Sequence, residues 1–209
     1  RHFEMDFSKL TIMDVLDRRH LIAQTLEAGA RYVQHEITRQ NMAETLAQYL
    51  GAGDLLIDLA YSIDATDIIQ WCHDHDVLYI NTSVETWDPY EDMLNAHPTE
   101  RTLYVRHMKL RRRMATWREP GVTAVVEHGA NPGLVSHWAK VALKDIAGAM
   151  LTQGVSKHKH AELEAALAAD DWARLAMTEG VRVIHISERD TQVANAPKQV
   201  GEFVNTWSV

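Results

Sequence analysis

The residues of this chain that could do chemistry stand at the ends of short apolar runs. Asp14 falls near the end of the run 9–15, and Tyr61-Ser62 follow 54–60. Asn81-Thr82 end 77–81 with Glu85 and Trp87 just beyond, and Glu127, His128 and Asn131 follow 123–126. Glu188 and Trp207 sit near two further runs towards the C-terminus. Acids beside aromatic rings suit an ammonium group: the carboxylate supplies charge, and a ring face adds roughly 0.5 to 2 kcal/mol. Carboxylates buried without such a partner are costly. Taken singly, each Glu or Trp reads more simply as packing or surface ion pairing, so the chemistry depends on their being gathered.

An alternation of strands and helices would gather them. Lys9–Val15, Ala30–His35, Asp54–Ala60, Val77–Asn81 and Thr123–Val126 read as strands. Arg18–Ala28, Asn41–Leu50, Ala65–His75 and Pro98 to about Trp117 read as helices. The run 54–60 is apolar enough to be buried on both faces, as in a parallel sheet. Short loops throughout imply an α/β fold with a Rossmann-like, doubly wound parallel sheet. The pivotal stretch is Thr123–Ser136, where Gly129 and Asn131-Pro132-Gly133 force a turn between a buried strand and a helix over Leu134–Met150. Ligands of open α/β sheets sit at such carboxyl ends, although the same pattern also reads as a plain βα turn. Asp14 likewise reads either as a ribose ligand or as an N-cap for the helix over Arg18–Ala28.

The Gly-x-Gly-x-x-Gly turn of a dinucleotide domain is absent from the sequence. If Leu10–Val15 is the second strand, the order 3-2-1-4-5-6 leaves the central first position unfilled. The chain is therefore expected to be an internal piece of a longer polypeptide. Residues 1–150 would be an N-terminally incomplete nucleotide-binding domain, and 151–209 the start of an α+β substrate domain. In the latter, His160–Ala169 and Asp171–Thr178 read as helices, and Val181–Ile186 and Glu202–Val209 as strands.

Composition narrows the class. The formal net charge of −8 argues against nucleic acid, and the 46% apolar content supplies a core. The single cysteine, Cys72, suits a reducing compartment such as the cytoplasm. No apolar run approaches membrane-spanning length. Lys157-His-Lys-His160 and Cys72-His73 lack further ligands, so no metal is expected. The basic cluster Lys109–Arg113 reads as a solvated helix face.

The segments Glu127–Ser136, His185–Gln192, Asn81–Trp87 and Phe203–Ser208 together resemble bacterial homospermidine synthases, relatives of the saccharopine dehydrogenase group. The Gly-Ala-Asn-Pro-Gly loop 129–133 and the Glu-Arg-Asp-Thr-Gln segment 188–192 are the specific parts. The resemblance implies an NAD-dependent homodimer that joins two putrescine molecules into homospermidine with loss of ammonia. In that scheme a hydride leaves the amine-bearing carbon, ammonia is displaced from the resulting imine, and the returned hydride reduces the new one. By position, Glu85, Asn131, Glu188 and Trp207 would form the amine pocket. Asp14, Ser62, Thr82, Asn131 and Pro132 would line the NAD side. A saccharopine-type or carboxynorspermidine-type dehydrogenase is the alternative within enzymes, and would need a cation for its substrate carboxylate, with Arg189 and His128 the candidates near the tips. A non-catalytic module of the fold is the third reading.

Overall fold

Strands and helices alternate in the expected order in a computed structural model describing residues 5–88, 95–189, 191, 193 and 195–202. The chain divides into two units, one up to Leu134 and one from Val135. The first contains β1 (Thr11–Asp14), α1 (Ala23–Glu27), β2 (Arg31–Gln34), α2 (Met42–Tyr49) and β3 (Leu55–Asp58). It continues with α3 (Ala65–Asp74), β4 (Leu78–Asn81), α4 (Leu103–Met114) and β5 (Ala124–Val125). Short 3-10 turns precede α1 and α4, so the helices expected over 18–28 and 98–117 are interrupted.

Among the described residues every strand pairing is parallel, with Asp58 opposite Asn81 and Ile80 opposite Val125. The strands form two sheets, β1-β2 and β3-β4-β5. These fit the two sides of the order 3-2-1-4-5-6 around its first position. The expectation that 54–60 is buried on both faces is corrected. Leu55, Ile57 and Leu59 are 52%, 56% and 71% exposed. They alternate and so share one face, which the described residues leave uncovered, while Leu56 packs on the core. β5 is an edge strand, and Ala124 and Val125 are exposed rather than buried.

The core of the first unit joins Ile68, Ile69, Trp71 and Cys72 of α3 to Val77, Tyr79, Met42, Leu46 and Leu110. Each large apolar side chain buried there contributes about 1.5–3 kcal/mol. The α3 N-terminus is set by Asp64, whose carboxylate accepts the N–H groups of Thr66 and Asp67 and also binds Lys109 of α4. Lys109 is thus a helix-to-helix tie rather than part of a purely solvated face. Cys72 is buried and its thiol is pushed up to about 12, chiefly by desolvation, which makes it structural.

A second tie pins the turn before β5. The His73 ring stacks on Trp117 at 4.0 Å, its Nδ1 lies 3.0 Å from Asp74, and its Nε2 lies 3.2 Å from the Glu119 carbonyl. Both ring nitrogens can donate only when the ring is charged. The Asp74 hydrogen bond, ahead of the Glu119 carbonyl, raises the pKa of His73. A raised histidine contributes stability that is full below its ordinary value near 6.5 and is lost as pH rises through the folded-state value. Wild-type Tm is therefore expected to fall relative to His73→Gln as pH rises from 6 to about 8.5. Thermal melts of the two across that range check this, and a constant difference would refute it.

The second unit holds α5 (Leu134–Gln153, beginning at the boundary), α6 (Lys157–Ala168) and α7 (Trp172–Glu179). Leu143, Ala147, Leu163, Ala166 and Leu175 form its core, with Trp172 packed against them. Ser156 and Asp171 cap α6 and α7, and Gly180 ends α7 at φ 87°. The α5 helix groups with α6 and α7, whereas the sequence pattern assigned it to residues 1–150 with the sheet. The strand expected over Val181–Ile186 does not form. Its alternation is genuine, but a strand exists only by pairing, and no described segment offers it a ladder partner. The strand expected from Glu202 lies, beyond that residue, outside the described residues. No described helix is long and apolar enough to cross a membrane.

Candidate active site at the strand tips

The parallel register brings the carboxyl ends of β3, β4 and β5 side by side. At the end of β3, the partly buried Asp58 accepts a 2.7 Å hydrogen bond from the Tyr79 hydroxyl and one from the Ala60 N–H. Burial is the main cause that raises its pKa, and nearby Glu85 adds to it. Tyr79 is raised too, first by desolvation and then by the Asp58 charge. Beyond Asp58, Ser62 takes a left-handed backbone at φ 58°, and Tyr61 is exposed.

Glu85, beyond β4, is drawn back to the sheet. Its Oε1 accepts from the Ser83 hydroxyl at 2.8 Å, and its carbonyl accepts the Ala65 N–H. Arg106 of α4 donates to the Val84 carbonyl at 2.9 Å and lies 4.0 Å from Glu85 Oε2. Arg106 is thus a cation near the tips that the sequence reading did not name. The next residue of α4, His107, meets Glu127 Oε2 at 2.8 Å. One turn of α4 therefore holds both carboxylates. Apolar walls from Leu103, Tyr104 and Met108 flank the Glu127 carboxylate.

Glu127 itself has φ 57°, a left-handed conformation that costs a non-glycine residue about 1–2 kcal/mol. Its N–H donates to Asn81 Oδ1 at 2.7 Å, and the His128 N–H to the Asn81 carbonyl at 2.8 Å. The loop then closes on itself. Gly129 N–H donates to the Pro132 carbonyl, Leu134 N–H to the Gly129 carbonyl, and Gly129 bridges Gly133. A Cβ on Gly129 would touch Thr82 Cβ at 3.4 Å, so Thr82 lies directly against this loop. Asn131 stands within it, half-buried, before a cis peptide to the exposed Pro132.

The structure thus brings Glu85, Thr82, Asn131 and Pro132 to neighbouring tips of the β3-β4-β5 sheet. Asp14 ends β1 in the other sheet of the same unit. There it does not cap the helix expected over Arg18–Ala28: Oδ1 accepts the Leu16 N–H at 2.8 Å, and Oδ2 pairs with Arg18 at 3.2 Å. Trp87 is structural, donating to Asp67 at 2.8 Å with Arg39 over its ring. Glu188 is an exposed residue of the second unit, outside regular secondary structure. Trp207 lies outside the described residues. Among those described, no group of His, Cys, Asp and Glu could hold a metal ion.

Sequence reasoning missed Asp58, Tyr79, Arg106 and His107. Asp58 had a signal, since it stands in its strand as Asp14 does, but Leu59-Ala60 prolong the apolar run and hide the end. Arg106 and His107 meet partners about twenty residues away, and no local pattern marks that. As a nucleotide site, the donor set suits a ribose. Asp14 offers a part-exposed carboxylate at a parallel strand tip, and Ser62 and Thr82 offer hydroxyls. The glycine turn that admits pyrophosphate is not in this sequence.

Residues 1–125 match the family model described as saccharopine dehydrogenase NADP binding domain. The whole chain is 38% identical to a homospermidine synthase from Blastochloris viridis and 34% identical to one from Mesorhizobium japonicum. It spans 42% of the length of each. Among solved structures, it is similar to the homospermidine synthase from Legionella pneumophila in complex with NAD. That match has a TM-score of 0.68 and 35% identity, over 99% of this chain and 40% of that one.

Proposed function

The chain belongs to the saccharopine dehydrogenase NADP binding domain family, and on that premise we propose that it is the nucleotide-binding part of an NAD-dependent homospermidine synthase. The reaction is the condensation of two putrescine molecules into homospermidine with release of ammonia. The observation that carries this is the similarity of the whole chain to part of proteins of that name, coinciding with Glu85 and the 127–133 loop on adjacent strand tips. Bound NAD would take a hydride from the amine-bearing carbon and later return it. Asp14 would accept hydrogen bonds from its ribose, with Ser62, Thr82, Asn131 and Pro132 along the same side.

Glu85 would hold a substrate ammonium and exchange protons with it. Arg106, 4.0 Å from that carboxylate, orients it and offsets part of its negative field. The Asn131 carboxamide would orient the reacting amine. The resemblance also assigns Glu188 and Trp207 roles toward the amine, Trp207 by cation–π contact. The protein works in the cytoplasm as a homodimer. The part-exposed Arg106 is tied to Glu85 and Val84, which favours a diamine over a carboxylated substrate.

The test incubates putrescine and NAD with the full protein carrying this sequence, followed by mass spectrometry. Homospermidine and ammonia without net NADH are expected. No new amine, or a product that retains a carboxylate, would defeat the reading. The 209-residue chain alone should bind NAD more weakly than about 1 mM in calorimetry, because no glycine turn admits the pyrophosphate. A micromolar Kd would contradict that.

A further inference from the structure

We propose that Asn81 is a positioning residue for this reaction: its buried carboxamide sets the backbone of the 127–133 loop and so the place of Asn131. The inference rests on the functional reading above for its kinetic consequence, not for its geometry.

Asn81 is 1% exposed at the end of β4. The Tyr79 hydroxyl gives its single proton to Asp58 Oδ2 at 2.7 Å, so it can only accept from Asn81 Nδ2, at 2.9 Å. That fixes the amide's orientation: the nitrogen faces Tyr79, and the oxygen faces the Glu127 N–H at 2.7 Å. The Asn81 carbonyl takes the next N–H, that of His128, at 2.8 Å. Two successive amides can both turn towards one residue because Glu127 is left-handed. From His128 the chain passes directly into the Gly129–Gly133 closure, which leaves Asn131 little freedom. A residue with no side-chain acceptor at position 81 takes away the partner of the part-buried Glu127 N–H and removes the hydrogen bond that holds its conformation.

The test uses the full protein carrying this sequence, with Asn81→Leu, which removes the acceptor, and Asn81→Asp, which keeps it. Amide exchange at Glu127 is expected to quicken about 30-fold in Asn81→Leu and to stay within about threefold of wild type in Asn81→Asp. In Asn81→Leu, kcat for homospermidine should fall about tenfold with the KM for putrescine within about twofold. Unchanged exchange at Glu127 would overturn the proposal, as would faster exchange with kcat unchanged. If Asn81→Leu does not fold, Tyr79→Phe serves, since it deprives the amide nitrogen of its acceptor. The same two readouts should then move about threefold, and no movement would overturn the proposal. A wild-type protein that makes no homospermidine defeats the functional reading alone, and the exchange data then decide the clamp.

Discussion

Glu85→Gln is expected to lower kcat/KM for putrescine about 100-fold, equivalent to ~2.7 kcal/mol. The substitution keeps the shape and the Ser83 hydrogen bond, so what changes is charge. The Glu85 side chain is only 17% exposed, and Arg106 Nη1 lies 4.0 Å from it. Two unit charges at that distance interact by about 4 kcal/mol at the effective dielectric of a protein surface. Neutralising Glu85 therefore removes an attraction for a diammonium substrate and leaves Arg106 to repel it. The double variant Glu85→Gln/Arg106→Gln should recover about a tenth of the lost factor or more, which a double-mutant cycle would register. Steady-state kinetics with unchanged kcat/KM in Glu85→Gln would remove Glu85 from the amine site.

The second large effect is structural in origin. In Gly133→Ala, a Cβ would stand 2.4 Å from the Gly129 carbonyl oxygen, 2.6 Å from its nitrogen and 2.9 Å from the His128 carbonyl carbon. All three are backbone atoms, so no rotamer relieves the clash, and φ 123° is itself unsuited to alanine. The 127–133 closure must open, displacing Asn131. A displacement of about 1 Å at a positioning group costs on the order of 100-fold in rate. Homospermidine formation should fall by at least that factor, while circular dichroism remains native because the loop carries no helix. Gly148→Ala is the control: it lies in α5 with open space around its Cβ and should stabilise by up to about 1 kcal/mol. Wild-type rates in Gly133→Ala would show that the loop does not position the reacting groups.

The second effect concerns a loop whose importance was readable and whose geometry was not. Gly129 and Asn131-Pro132-Gly133 announce a turn after an apolar run, and a strand tip is where such a turn matters. Nothing local says that Glu127 adopts a left-handed backbone, since that conformation is unfavourable for glutamate and its N–H is taken by Asn81 from across the sheet. The same contrast appears at Val181–Ile186. Its alternation is a property of the residues, but a strand also needs a neighbour's hydrogen-bonding edge, which is a property of the fold. β3 repeats the lesson in reverse: the apolar run is a parallel strand as expected, yet Leu55, Ile57 and Leu59 are exposed because the described residues leave one face uncovered.

The order of strands and helices, the parallel class of the sheet and most of the residues at its tips are determined by the sequence itself. Hydrophobic periodicity and turn chemistry act over a few residues, and those are local quantities. The tertiary structure alone decided the αL turn at Glu127 and the placing of both carboxylates by Arg106 and His107. Each of these depends on atoms about twenty or more residues apart meeting within hydrogen-bond or ion-pair reach. The Thr123–Ser136 stretch stands where the two kinds of information meet. Its residues specify a turn, and Asn81 across the sheet makes that turn rigid.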